Sequence, residues 1–176
     1  MTGGYYQRLR DEAIAAAGWP VLKAKLLAAA PGRVIPWPEP HMAELLERGA
    51  LVSGRVLVRS GIPNRCHFNA SLQWLRDPRA LIYVGYAYDP DHGGLWRQHS
   101  WNGRKADIID MHDSIAMRFG VMPDQARFVF NTFTGEFDFR NLDPKALERA
   151  VGPLAYRRLI DVLRVCVRRG AFNSSM

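Results

Sequence analysis

Cysteine is scarce: Cys66 and Cys166 are the only two in 176 residues. So few thiols argue against a disulfide framework and for reduced cysteines in a cytoplasm. Long apolar runs are missing as well. "AIAAAGWPVL" is interrupted by Gly18 and Pro20, and no stretch nears the roughly 18 apolar residues that a membrane span needs. The N-terminal "MTGGYYQRLRDE" has no apolar signal core, so neither secretion nor a membrane location is expected. A phosphate-cradling glycine loop is also lacking, because "HGGLW" is too short and does not join a strand to a helix. Repeats and low-complexity tracts are absent too.

What is present is an ordinary globular composition, 48% hydrophobic, on a chain whose length suits one compact domain. Lysine and arginine outnumber acids by 24 to 17, a net charge of +7. That excess favours anionic partners without identifying one. Arg157, Arg158, Arg164, Arg168 and Arg169 crowd the last helical stretch, and a solvated face explains them most simply. Nucleic acid is possible as a partner but has no motif to support it.

"YYQRLRDEAIAAA" and "WPVLKAKLLAAA" read as helices, with Pro20 suited to a first turn. "PGRVIPWPEP" cannot continue a helix. After Pro40 a short helix, "HMAELLER", ends at Gly49. "ALVSGRVLV" reads as a turn leading into a strand, with Val56 and Val58 on one face. Phe68, Leu72 and Leu75 recur at helical spacing, so "CHFNASLQWLR" is a helix with one apolar face, capped by Asn64 and ended by "RDP". "ALIYVGYAY" has the composition of a buried strand. "LWRQHSW" and "RKADIIDM" form a hairpin around Asn102-Gly103. "RFVFNTF" and "GEFDF" look like a further strand pair. From Asp143 to Arg169 the pattern is helical, with a break at Gly152-Pro153. The expectation is α+β: a central helix bearing Cys66 packed on a mainly antiparallel sheet, with flanking N- and C-terminal helices. Residues 1–176 form one domain, with a helical part at 1–50, a core at 51–140 and C-terminal helices at 141–176.

Cys66 then falls in the first turn of a helix, where unpaired N–H groups and the positive end of the dipole stabilise a thiolate. A histidine on a later strand, His99, can take and return a proton, and a third polar group, Asp110, can orient the imidazole. Cys166 lies in the apolar "LIDVLRVCVRR" and reads as a buried hydrophobe. His67 adjoins the thiol in sequence, but neighbours on a helix diverge, so it is a poor base. Asn64, Asn69 and Gln98 are candidate oxyanion donors beside the Cys66 backbone N–H, and each also suits a structural hydrogen bond. Trp96 and Trp101 are five positions apart on one strand and face opposite ways, one flooring a cleft and one in the core. His92, His99, Asp110, His112 and Asp113 are types that bind zinc or iron, but their spacing fits no tight ligand pair, so no metal is expected.

Taken in order, "CHFNASLQWLR", "VGYA", "HSW" and "IID" resemble the core of transglutaminase-like proteins, within the wider papain-like thiol enzymes. Cys66, Ala70, Leu72 and Leu75 match the family's helix. Val84, Gly85 and Tyr86 match the next strand, and His99, Trp101 and Asp110 match the rest, over about residues 60 to 115. The resemblance implies a cysteine hydrolase or acyltransferase with a Cys66-His99-Asp110 triad, acting without cofactor on a peptide, protein or other amide or ester substrate. The alternative is a non-catalytic binding module of the same fold, whose basic C-terminal helix contacts an anionic partner.

The role of Asp110 depends on hairpin register. A two-residue Asn102-Gly103 turn sets it about 13 Å along the strand from His99, four residues at roughly 3.3 Å each. A wider loop over 103–106 sets it directly opposite, about 5 Å away between Cβ atoms. The resemblance favours the wider loop. Asp107 would then be a bystander, and Asp113 a helix cap.

Overall fold

The computed structural model of the chain describes residues 3–137 and 143–169. Its architecture is α+β, with seven helices and one mixed seven-stranded sheet among the described residues. Helix α1 (Gly3–Ala15) is largely exposed, whereas α2 (Trp19–Ala29) carries Pro20 in its first turn and buries Trp19, Leu22 and Leu26. The proline-rich stretch that follows contributes only the two-residue strand β1 (Arg33–Val34). Helix α3 (Met42–Arg48) stops at Gly49.

Residues 50–58 hold two strands instead of the single one expected: β2 (Ala50–Val52) and β3 (Arg55–Val58). The remaining elements are α4 (Cys66–Arg76), β4 (Leu81–Asp89), β5 (Leu95–Arg104), β6 (Asp107–Asp110), β7 (Met117–Val121), α5 (Gln125–Glu136), α6 (Pro144–Val151) and α7 (Pro153–Arg168). The strand order is β2-β7-β4-β5-β6-β3, mainly antiparallel, with β3 parallel to β6 and β1 parallel to the start of β5. β2 and β3 therefore stand at opposite ends of that order, yet only Ser53 and Gly54 separate them. Three peptide units reach about 10 Å, so the sheet has to curl until its two edges nearly meet.

Alternation divides the sheet cleanly. Ile82, Val84, Tyr86, Trp96, Phe119 and Val121 point toward the helices and join one apolar core with residues of α2, α4, α5 and α7. The other face carries Tyr83 stacked on Trp101 (5.9 Å, 9°), with His99 and Arg118 beside them.

Two expectations fail here. "RFVFNTF" is not a strand but the body of α5, which Asp124 caps by accepting the Arg127 N–H at 2.9 Å. Its aromatic composition imitates a strand, but the buried Phe130 and Phe133, with Phe137 next, recur at three- and four-residue spacing, which aligns them on one helix face. Of the supposed partner "GEFDF", Gly135 and Glu136 end α5, and Asp138 and Phe139 lie outside the described residues. The strand omitted is β7, which occupies the interior place between β2 and β4. Asp143 caps α6 through the Lys145 N–H, and Gly152 (φ 90°) makes the expected break before α7. Arg158 of α7 donates to the carbonyls of Leu75 (2.8 Å) and Arg76 (3.0 Å), satisfying the last turn of α4. No helix among the described residues is long and apolar enough to cross a membrane.

Gly85 stands opposite His99 on one side and Gly120 on the other. A Cβ there would lie 2.2 Å from the Phe119 carbonyl oxygen and 2.7 Å from the Gly120 Cα, at a φ of +153°. Gly85→Ala should therefore lower stability by roughly 2–3 kcal/mol, the upper part of the overpacking range. Urea unfolding should show a reduced midpoint with an unchanged slope.

Candidate active site

The ladder on one side of β5 is interrupted. β4 pairs with β5 from Leu95 to Gly103, so β1 and β6 share the opposite side. β1 accounts for Leu95 and Trp96, and β6 begins again only at Asn102. Around this break the N-terminal half of α4 docks: Asn102 Nδ2 donates to the Ala70 carbonyl at 3.0 Å, and Ser100 Oγ meets His67 Nδ1 at 2.5 Å. A cavity of about 380 Å³ opens there, bordered by Cys66 and by the consecutive residues His99, Ser100, Trp101 and Asn102. Both faces of a strand can border one cavity only at its edge. The edge is how a helix packed on one face of the sheet brings its thiol to a histidine of the other.

Cys66 is the first residue of α4 and half-buried; no side chain among the described residues caps the helix, whose N-cap position is Arg65. Asn64, expected as the cap, instead takes a left-handed turn (φ 59°) leading into the helix. This uncapped first turn leaves its N–H groups available to a negative charge beside the sulfur.

His99 Nε2 donates to Asp110 Oδ1 at 2.9 Å, and both residues are buried. The register that achieves this is neither of the two weighed above. The turn is Lys105-Ala106, with Lys105 at φ 54°, and Asn102 and Gly103 lie inside β5 opposite Ile109 and Ile108. Continued one step, that pairing sets Asp110 opposite Trp101, so it meets His99 on the diagonal of the same face, within reach of an imidazole. Asp107 turns away and pairs with Arg55 at 2.9 Å.

Asp110 also accepts from the Met111 N–H (2.6 Å) through Oδ1, and from Arg118 Nε (2.8 Å) through Oδ2. Arg118 is 2% exposed and was not foreseen. Its one signal was an arginine set among apolar residues in "AMRFGVM", legible only once that segment is known to be an interior strand. The His99 ring lies near-parallel to Trp101 (6.2 Å, 18°), with His112 on another side at 5.6 Å.

These contacts set the charges. Burial pushes the Cys66 thiol up, but hydrogen bonds and charge from His67 and His99 outweigh it and bring its pKa down to about 5. Burial pushes His99 down, and Asp110 and the thiolate reverse this, raising it to about 9. Burial likewise opposes ionisation of Asp110, yet His99 and Arg118 hold its carboxyl well below the usual range. Burial and the neighbouring His99 and Arg97 lower the His112 pKa. Between about pH 5 and pH 9 the favoured state is a thiolate–imidazolium pair. Cys166 differs, since burial raises its thiol.

The remaining candidates disperse. Both Gln98 amide protons are committed, to Pro38 O (3.1 Å) and Glu39 Oε2 (2.9 Å), so it cannot serve as an oxyanion donor. Asn69 clamps the Ile62 backbone at both N–H and C=O while bordering the cavity. Asn64 borders a second cavity together with Cys66. Trp96 is fully buried, donates to Ala30 O and belongs to the core, away from any cleft. Trp101 floors the cavity. His67, dismissed above as pointing elsewhere, has Nδ1 3.9 Å from Cys66 Sγ. Divergence of neighbours holds along a helix, but here both side chains reach the middle of β5, His67 at Ser100 and Cys66 at His99. His92 pairs with Asp89, and among the described residues no group of three or more His, Cys, Asp or Glu is placed to hold a metal ion.

Comparisons of the chain with family models, with curated proteins and with solved structures found no match.

Iodoacetamide should label Cys66 well before Cys166, with the Cys66 rate falling only as pH drops through about 5. Asp110→Asn removes the main anion that keeps His99 protonated, so the thiolate loses one of the two histidines that hold its pKa down and the midpoint should move up. Peptide mapping after timed labelling across pH checks both, and equal labelling of the two thiols in the native protein would contradict the assignment.

Proposed function

We propose that the protein is a thiol-dependent acyl-transfer enzyme acting on an amide or ester bond, as a peptidase, an amidase or a transglutaminase-like transferase. The observation that carries this reading is a half-buried thiol at an uncapped helix start that hydrogen-bonds a histidine lining the same cavity, with that histidine anchored by a buried carboxylate which an arginine holds in turn. A structural cysteine gains nothing from such surroundings, because a low thiol pKa adds little to packing.

The geometry suits the following steps. Cys66 thiolate attacks the substrate carbonyl carbon, and the oxygen's developing charge faces the first N–H groups of α4, including that of Cys66. His99 gives its proton to the leaving amine or alcohol as the C–N or C–O bond breaks. With Nε2 held by Asp110, Nδ1 is the nitrogen left to exchange that proton. The thioester is then released to water or an amine. Asp110 fixes the ring and favours the imidazolium, and Arg118 keeps Asp110 ionised.

The binding-module reading is the weaker one. Of the five arginines that suggested it, Arg158 caps α4, and Arg164 stands 3.6 Å from Asp161 on its own helix.

Exposure to activated esters and peptide amides, followed by intact-mass measurement, should give a covalent acyl adduct on Cys66 that is absent from Cys66→Ala. Acylation should require both members of the pair. It is lost below about pH 5 as the thiol protonates and above about pH 9 as His99 loses its proton. Alkylation needs no proton donor and should lack the alkaline limb. A Cys66→Ala variant that unfolds, alongside a wild type acylated by none of the donors, would return Cys66 to the core.

A further inference from the structure

The thiol has two histidines, and each lines a different cavity that the thiol also borders. His99 borders the first cavity with Cys66. His67 borders the second cavity with Cys66, a space of about 360 Å³ that includes Trp37, Asn64 and Arg97. Neither ring borders the other's cavity. Each is oriented by a buried partner: Asp110 for His99, and Ser100 Oγ, 2.5 Å from Nδ1, for His67. Phe128 meets the His67 ring edge-on at 5.7 Å and fixes its tilt. Burial disfavours a charged His67, but Cys66 and Glu39 outweigh it and lift its pKa.

A thioester carbonyl is planar, and a nucleophile can approach from either face. With two cavities meeting at the thiol, the acceptor need not wait for the leaving group to vacate its own cavity. We propose that the second cavity is the acceptor site, taking a small protic nucleophile with an N–H or O–H, and that His67 is its catalytic base. This rests on the acyl-transfer reading above.

In the acylation step His99 hands its proton to the leaving group on the first-cavity side. In the release step the acceptor's nitrogen or oxygen bonds to the carbonyl carbon as His67 takes its proton at Nε2, the ring nitrogen that Ser100 Oγ does not hold. The C–S bond breaks and its electron pair returns to Sγ. Nδ1 of the now doubly protonated His67, 3.9 Å from Sγ, then releases a proton by way of the sulfur to His99 Nδ1, because Cys66 hydrogen-bonds to both rings, and the thiolate–imidazolium pair is restored. The sum is one acyl group moved and one proton exchanged between leaving group and acceptor.

The two steps can be timed separately with p-nitrophenyl acetate near pH 8, following acetyl-Cys66 by intact mass as it forms and, after desalting, as it decays in buffer alone or with glycinamide. His67→Asn should slow decay by about 100-fold or more, the range of one general base, and slow formation far less. Ser100→Ala should show the same split more weakly, which guards against a misfolded His67 variant, and circular dichroism checks both folds. His99→Ala should instead impair formation. Glycinamide accelerating wild-type decay identifies an amine acceptor, whereas decay indifferent to it identifies water; either supports the site if the split is seen. Formation and decay falling by the same factor in both variants, or neither changing, would reduce His67 to packing and overturn the proposal. A wild type that never becomes acetylated on Cys66 would overturn the acyl-transfer reading itself.

Discussion

A buried carboxylate has to be neutralised, and the structure around Asp110 is organised by that requirement. Removing an ion from water costs several kcal/mol even after relaxation. Asp110, His99 and Arg118 are each almost wholly buried, and they come from three different strands, β6, β5 and β7. The Asp110–Arg118 pair leaves no net charge. Charge balance for a His99 imidazolium then calls for a further anion, and the Cys66 thiolate supplies it beside Asp110, the larger cause of the raised His99 pKa. Each member of this set of four depends on the others. Deleting Asp110 leaves the Arg118 charge uncompensated, which costs more than the pair contributed, whereas His99 without the thiolate can give up its proton and become neutral.

The same constraint favours a curled sheet. An arginine inside an interior strand is tolerable only where a partner faces it across the sheet, which requires β7 and β6 to approach although β4 and β5 lie between them in the strand order. Curling brings them together, with Gly85 and Gly120 allowing close approach beneath Trp101. The glycine of "VGYA" is thus fixed by backbone crowding next to the site more than by any direct part in chemistry.

Much of this was legible in the residues, and the failures have physical reasons. Cys66 on a helix start, His99 on a strand and Asp110 at the end of the next followed from apolar spacing and turn residues, all local signals. Register did not, because Asn-Gly is the commoner turn pair, yet here Asn102 is needed inside β5. Its side chain bridges the Ala70 and Ala80 carbonyls, and a tertiary demand of that kind overrides local preference. Arg118 was illegible for the same reason, since its role exists only through a strand neighbour far along the sheet. In α5 the β-favouring aromatics imitate a strand, although their spacing and the Asp124 cap are those of a helix.

The start of α4 joins these arguments. Most helices satisfy their first N–H groups with a serine, threonine, asparagine or aspartate, and substitution of such a cap costs about 1 kcal/mol. Here Arg65 stands at that position and cannot accept a hydrogen bond, while Asn64 is turned away by its left-handed backbone. A capping carboxylate would satisfy those groups, but it would place a negative charge beside the sulfur and raise the thiol pKa, opposing the pull of His67 and His99. Leaving the end open forgoes that stability and keeps the helix dipole directed at the thiolate. The other end shows no such concession. Arg158 closes it with two hydrogen bonds, so the helix is anchored at its C-terminus and left polarised at the thiol.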